Sequence, residues 1–415
     1  MNDIIFRTYE PDRDEKAVIR VWKECGWLDL KKDRKAREAF RGLLDCGTAD
    51  VAEFRGEAES LVTTHKGSIV LQDADLPFRA VTCVTTGRPL RRMGVAGGLT
   101  ARTVARAAAE GEAVAGLGIF DQGYYDKLGF GTFPYVRTVT FDPLRLTVPN
   151  LERPPVRLTL KDAPRIAAAL GERKRRHGMV VLPQPAFTRM IMTEAEDGFG
   201  LGFEDDAGAL THHLWAKPKG EGGPYEIWWM AYRDNNGLRE LLSLLRNLGD
   251  QVKAVTIREP GGLQFQDLLE RPMRTRRITA GGGFENKMTA EAFKQIRILN
   301  MEPVLAALKL PAGHVRFNLK LVDPIGTFLP DDAPWRGVDG EWIVSLGEDG
   351  SSAEHGAASG LPVMTASVNA FTRLVFGVCP ASGLAVSDDL SAPDPLLEEL
   401  DGKLLLPEPD MMQIF

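Results

Sequence analysis

Short runs in which apolar and polar positions alternate are separated along the chain by segments of helical period, and this change of period recurs. The N-terminal pattern predicts a strand over residues 4–9, a helix over 15–25, strand-rich segments over 60–71 and 78–86, and an Ala- and Arg-rich helix over 99–110. A β-rich half thus feeds a helix through a glycine-containing turn. Pro143, Pro149, Pro154 and Pro155 then fall in a stretch with no sustained period, which predicts a linker, because each proline removes a backbone donor and fixes φ.

The same order returns beyond the linker. A strand at 156–159 and a helix at 163–173 are followed by strand-like runs at 208–216 and 226–232 and a helix at 237–248. No residue-level repeat accompanies the order, which predicts a tandem, diverged duplication. From about Ile296 the texture changes. A helix at 303–308, an alternating strand at 315–321 and a strand at 341–346 between Gly-rich turns lead to an apolar, proline-containing tail over 404–415. The boundaries read this way are 1–148, 149–294 and 295–415.

A length of 415 residues supports this division, since domains run to roughly 100–200 residues. Hydrophobic residues at 44% and charged residues at 26% exclude disordered, collagen-like and fibrous chains. A net charge of −6 argues against a dedicated nucleic-acid partner. The N-terminal stretch is charged, and no run of about 18 apolar residues occurs, so a cytoplasmic protein with no membrane partner is expected. Cys25, Cys46, Cys83 and Cys379 are scattered and read as reduced, structural thiols. His65, His177, His212, His213, His314 and His355 lack metal-ligand spacing, so no metal is expected. The basic run from Arg173 to His177, at the end of a predicted helix, is expected to face water.

The informative chemistry lies between residues 81 and 96. A strand ending in Val84-Thr85-Thr86 delivers the chain to Arg91-Arg92-Met93-Gly94-Val95-Ala96, and a helix leaves from that turn. The first amides of a helix have no intrahelical partner, so the turn is a seat for pyrophosphate, with Arg91 and Arg92 adding charge-assisted bonds. There is no Lys-Ser/Thr after the glycines and no GxGxxG, which excludes the commoner phosphate loops. The pattern Arg91-x-x-Gly94-x-Ala96 resembles the acyl-CoA signature of the GCN5-related N-acetyltransferases (GNAT). Tyr125, followed by Gly129-Phe130, falls where that superfamily carries a tyrosine beside the cofactor sulfur. A phenol can protonate a departing thiolate.

Over nearly its whole length the chain resembles the enhanced intracellular survival (Eis) acetyltransferases. That resemblance implies an α/β (α+β) protein with two tandem GNAT-type mixed-sheet domains, the second degenerate, and a sterol-carrier-like α+β C-terminal domain. It implies acetyl-CoA as co-substrate, bound by Val84 to Thr86 and Arg91 to Ala96, and an amine acceptor such as an aminoglycoside, a polyamine or a lysine side chain. Tyr125 is then the acid, and the terminal carboxylate of Phe415 the base. The resemblance further implies a homo-oligomer, the family's hexamer. Glu408 and Asp410 near the tail are expected to attract cationic acceptors. Phe120 and Asp121 depart from the small or polar residues that line the cofactor channel in the family. The competing reading is a non-catalytic binder of lipids or apolar ligands that uses the sterol-carrier-like domain.

Overall fold

Three β-sheets carry the fold, and the computed structural model describes residues 3–27, 33–195, 197–272 and 281–410. The first sheet runs in the order Ile4–Thr8, Thr48–Phe54, Glu57–Leu71, Ala74–Thr86, Val114–Gly118, Lys294–Ile298 and Gly131–Thr132, with Val180–Val181 added against Glu57–Leu71. The first four strands are antiparallel, whereas Ala74–Thr86 and Val114–Gly118 are parallel and joined through helix Val95–Ala109. A parallel pair is covered on both faces, so residues 113–117 form a continuous apolar run instead of an alternation. The helix buries Val95, Leu99, Val104 and Ala108 against Val62, Val81, Ala115 and Leu117. It starts at Val95, a turn before the expected residue 99, because Gly97 and Gly98 weaken the local propensity without breaking the helix.

The second sheet runs Lys287–Glu291, Val136–Phe141, Val255–Arg258, Tyr225–Tyr232, Leu210–Pro218, Phe199–Glu204 and Val156–Leu158. Two strands cross between units. Val136–Phe141 precedes the proline-rich stretch yet sits in the second sheet, and Lys294–Ile298 follows that sheet's last strand yet completes the first. The proline-rich stretch is not bare linker, since Leu146 and Val148 are buried in the second core. Helix Pro185–Glu194 bridges the units, with Phe187 and Met190 in the first core and Met192 packed beside Ile166 and Trp229 of the second.

The third sheet, Ser352–His355, Gly340–Gly347, His314–Val322, Val363–Ser367 and Leu390–Ser391, is covered by helices Val368–Val375, Ala381–Ser387 and Asp394–Lys403. The Gly-rich 347–360 stretch holds the strand Ser352–His355 and is more than a turn. The basic run does not face water as a block. Arg173 and His177 are buried, with Arg173 Nη2 donating to Val180 O and His177 Nδ1 accepting from Gln72 N. Burial lowers the Arg173 pKa to about 10. Among the described residues, no helix is long and apolar enough to cross a membrane.

Candidate active site

A wedge opens in the first sheet. Strands Ala74–Thr86 and Val114–Gly118 pair from Phe78↔Val114 to Val81↔Leu117 and no further. On the other side, Leu61 faces Thr85 and Thr63 faces Thr82, so Cys83 and Val84 together oppose Val62 in a bulge, with Cys83 at φ +54°. A bulge bends its strand and increases the local twist, which carries Val84–Thr86 away from Val114–Gly118 and leaves that edge unpaired. Ser60 Oγ donates to Thr85 O at 2.7 Å and lies 3.0 Å from Thr86 Oγ1, which fixes the diverging arm. Val84 to Thr86, singled out in the sequence, therefore line the wedge.

The second half of the predicted seat stands at the wedge's end. The chain passes through a short 3₁₀ turn at Arg88–Leu90, then reaches Arg92 at φ +61° and Gly94 at φ +76° before helix Val95–Ala109. Gly94 occupies the N-cap position in the left-handed region, where a side chain would be strained, and no side chain caps the helix. The first-turn amides of Val95 and Ala96 thus have no side-chain cap. Arg91, Arg92 and Met93 are exposed around them, and among the described residues neither arginine makes an ion pair. Uncapped amides, a helix N-terminus and two guanidiniums without ion pairs among the described residues are groups that can hold a phosphate.

Tyr125 is 2% exposed, at the start of a loop across the wedge from this turn. Its ring packs edge-on against Tyr124 at 4.8 Å and Phe130 at 6.2 Å, with exposed Phe120 at 6.0 Å. Burial, with Tyr124 beside it, raises the phenol pKa above its ordinary value, so it stays protonated at neutral pH. Three residues that the sequence reading missed clamp this loop. Asn369 Nδ2 donates to the carbonyls of Asp126 and Phe130, both at 2.9 Å. Gln295 Nε2 donates to Asp126 Oδ1 at 2.6 Å, and Arg297 Nη1 donates to Leu128 O. Gly129, at φ +79°, lets Arg297 pass, since a Cβ there would lie 2.7 Å from Nη1. These clamps lie 169 to 243 residues from the loop in sequence, so no local pattern announces them.

In the second sheet, the parallel pair Tyr225–Tyr232 and Val255–Arg258 also parts after two residue pairs, and helix Asn235–Asn247 follows. Its N-terminus is already filled. Asp234 is the N-cap and accepts from Gly237 N at 2.8 Å, so a carboxylate stands where the first unit leaves amides open. Glu408 and Asp410 do not form a free acidic lure. Glu408 pairs with Arg137, and Asp410 is buried beside Arg173 and Arg176, with its pKa raised by burial to about 6. Phe415, the expected base, lies outside the described residues.

Residues 6–133 match the model of the acetyltransferase (GNAT) domain. No curated protein matches the chain. Among solved structures, the chain is similar to a probable N-acyltransferase from Enterococcus faecalis, with 15% identity over 99% of both chains and a TM-score of 0.79. It is also similar to a GCN5-related N-acetyltransferase from Kribbella flavida, with 16% identity over 100% of this chain and 98% of that one and a TM-score of 0.77. A third similar structure is Eis1 from Mycobacterium abscessus, with 17% identity over 99% of this chain and 100% of that one and a TM-score of 0.75. At these identities the likeness concerns the fold, whose mixed α/β architecture it shares along the whole chain. The chain carries the domain of an acetyl-CoA-dependent N-acetyltransferase.

Proposed function

We propose that the chain acetylates an amine with acetyl-CoA bound in the wedge of the first sheet. The uncapped helix N-terminus at Gly94, opposite Tyr125, is the observation that carries this reading. The pyrophosphate lies on the amides of Gly94 to Ala96 and on Arg91 and Arg92. The pantetheine arm runs along Val84 to Thr86, whose free edge supplies N–H groups that polarise the thioester carbonyl. The acceptor nitrogen attacks that carbon, an N–C bond forms and the C–S bond breaks. One proton leaves the nitrogen, and Tyr125 gives one to the departing sulfur. The Phe415 carboxylate takes the nitrogen's proton. A C-terminal carboxylate with a pKa of about 3.5 is a weak base toward a free ammonium of about 10.4, but adequate once N–C bond formation has made the proton acidic.

The second unit is a diverged acetyltransferase fold that binds no CoA, because Asp234 holds its helix N-terminus. The third is sterol-carrier-like, and its contribution here is the clamp from Asn369 on the Tyr125 loop. The units are 1–148, 149–294 and 295–415, with the strands Val136–Phe141 and Lys294–Ile298 exchanged between the first two. The test is acetyl-CoA-dependent release of free thiol with a panel of amines. Adding residues after Phe415 is expected to abolish that release and to leave acetyl-CoA affinity intact. Undiminished turnover in the extended chain would remove Phe415 from the chemistry.

A further inference from the structure

A cavity of about 350 Å³ is lined by the polar face of the second sheet, through Thr138, Glu226, Trp228 and Arg258, and by Glu194 and Phe293. It sits at the open end of the wedge. Lys294, next to Phe293, pairs with Gly118, where the strand Val114–Gly118 ends, and Ile119 N donates to Phe293 O at 3.0 Å. Glu194, the last residue of helix Pro185–Glu194, lies close enough to Cys83 in the bulge to add to the rise that burial imposes on its thiol pKa.

Three groups on residues lining this cavity make no side-chain hydrogen bond or ion pair among the described residues. Arg258 makes no ion pair or side-chain hydrogen bond among the described residues. Its guanidinium lies 5.3 Å from the Phe293 ring centroid, with Nη1 withdrawn from water. Trp228 is the extra residue of a second bulge, because Trp215 faces Trp229 while Ala216 faces Ile227, and its indole N–H is likewise buried without an acceptor. Buried donors are ordinarily satisfied, and two on residues lining one cavity call for an acceptor that the described residues do not supply. A carboxylate provides it. Glu194 has the opposite character, an acceptor lining the same cavity with no ion pair among the described residues, and Lys294 stands near enough to favour its charged form. Glu226 is already paired with Lys219 at 3.4 Å.

The balance of charge selects the ligand. Glu226 faces Lys219 and acts on Arg258, and Lys294 acts on Glu194, so charges of both signs surround the cavity. A polycation finds no net negative field here, whereas a molecule with one charge of each sign meets a complementary pole at each end. A volume of about 350 Å³ is at the small end of ligand cavities, which run from about 300 to 1,000 Å³. We propose that the acceptor is a small zwitterion, an amino acid or short peptide, whose carboxylate is held by Arg258 and Trp228 and whose ammonium lies against Glu194. This rests on the acetyl-transfer reading above and narrows it. The diverged second sheet then serves as the acceptor wall of the first unit's site.

The test compares matched acceptors, each free amino acid beside its amide and its decarboxylated amine, with lysine and phenylalanine as probes. The quantity read is the ratio of kcat/KM for the acid to that for the amide. Wild type is expected to favour the acid by at least about tenfold, since a site built to bind a polar group discriminates strongly against analogues lacking it. Arg258→Met should bring the ratio near one, and Arg258→Lys should restore part of it. Because each ratio is internal to one variant, loss of folded protein does not move it. Amides and decarboxylated amines acetylated as fast as the acids would overturn the zwitterion proposal alone. Thiol release with no amine in the panel would overturn the acetyl-transfer reading and this proposal with it.

Discussion

Replacing Tyr125 by Phe is expected to lower kcat by about 10²–10⁴-fold, the contribution of a positioned general acid, while acetyl-CoA affinity holds. The substitution removes one oxygen and keeps the ring that packs against Tyr124 and Phe130, so the loop should survive it. The phenol's pKa is raised by burial, which makes it a weaker acid, yet the thiolate it protonates is born in the same apolar surroundings. Desolvation disfavours both anions, so both partners shift the same way. A raised pKa keeps Tyr125 protonated through the neutral range, so it should impose no alkaline fall in kcat below its ordinary value of about 10. Thiol release followed against pH in both proteins measures this, and an unchanged kcat in the variant would exclude Tyr125 as the acid.

The second large effect concerns the clamp behind that tyrosine. Arg297 and Asp323 form an ion pair at 2.6 Å with both side chains fully buried. Asp323 also accepts from Ile325 N at 3.1 Å and Val338 N at 3.0 Å, while Arg297 reaches Leu128 O in the Tyr125 loop. One pair thereby ties the crossing strand Lys294–Ile298 to the third unit and to the Tyr125 loop. Arg297→Met leaves a buried carboxylate without its cation, which costs about 3–5 kcal/mol. Adding Asp323→Asn removes the stranded charge and should recover part of that loss, the signature of coupling between the two sites. Urea unfolding of the two single variants and the double variant measures the coupling. Additive losses would mean that the pair contributes nothing as a pair.

Much of the candidate seat's geometry was legible because it is local. Strand, turn and helix follow one another within residues 81 to 110, and the residue types in the turn state their chemistry. Tyr125 was singled out for the same reason, through its spacing to Gly129 and Phe130. What escaped depends on distant pairing. Val136–Phe141 and Lys294–Ile298 read as ordinary strands, and nothing in their alternation says that each pairs across a unit boundary. The carboxylate of Asp234 was visible as a residue, but its position over Gly237 N is a matter of cap geometry. Glu194, Trp228 and Arg258 come from a helix end and two strands, and only the folded sheet gathers them around one cavity.

The central claim is that acetyl-CoA is held once per chain, at the first helix N-terminus. Calorimetric titration of acetyl-CoA into the full-length protein tests it most directly, with wild type beside a variant carrying both Arg91→Ala and Arg92→Ala. One site per chain is expected, weakened at least about tenfold in the variant, since hydrogen bonds to charged groups are each worth about 1.5–3 kcal/mol. Two sites per chain, or a single site indifferent to both arginines, would contradict the account.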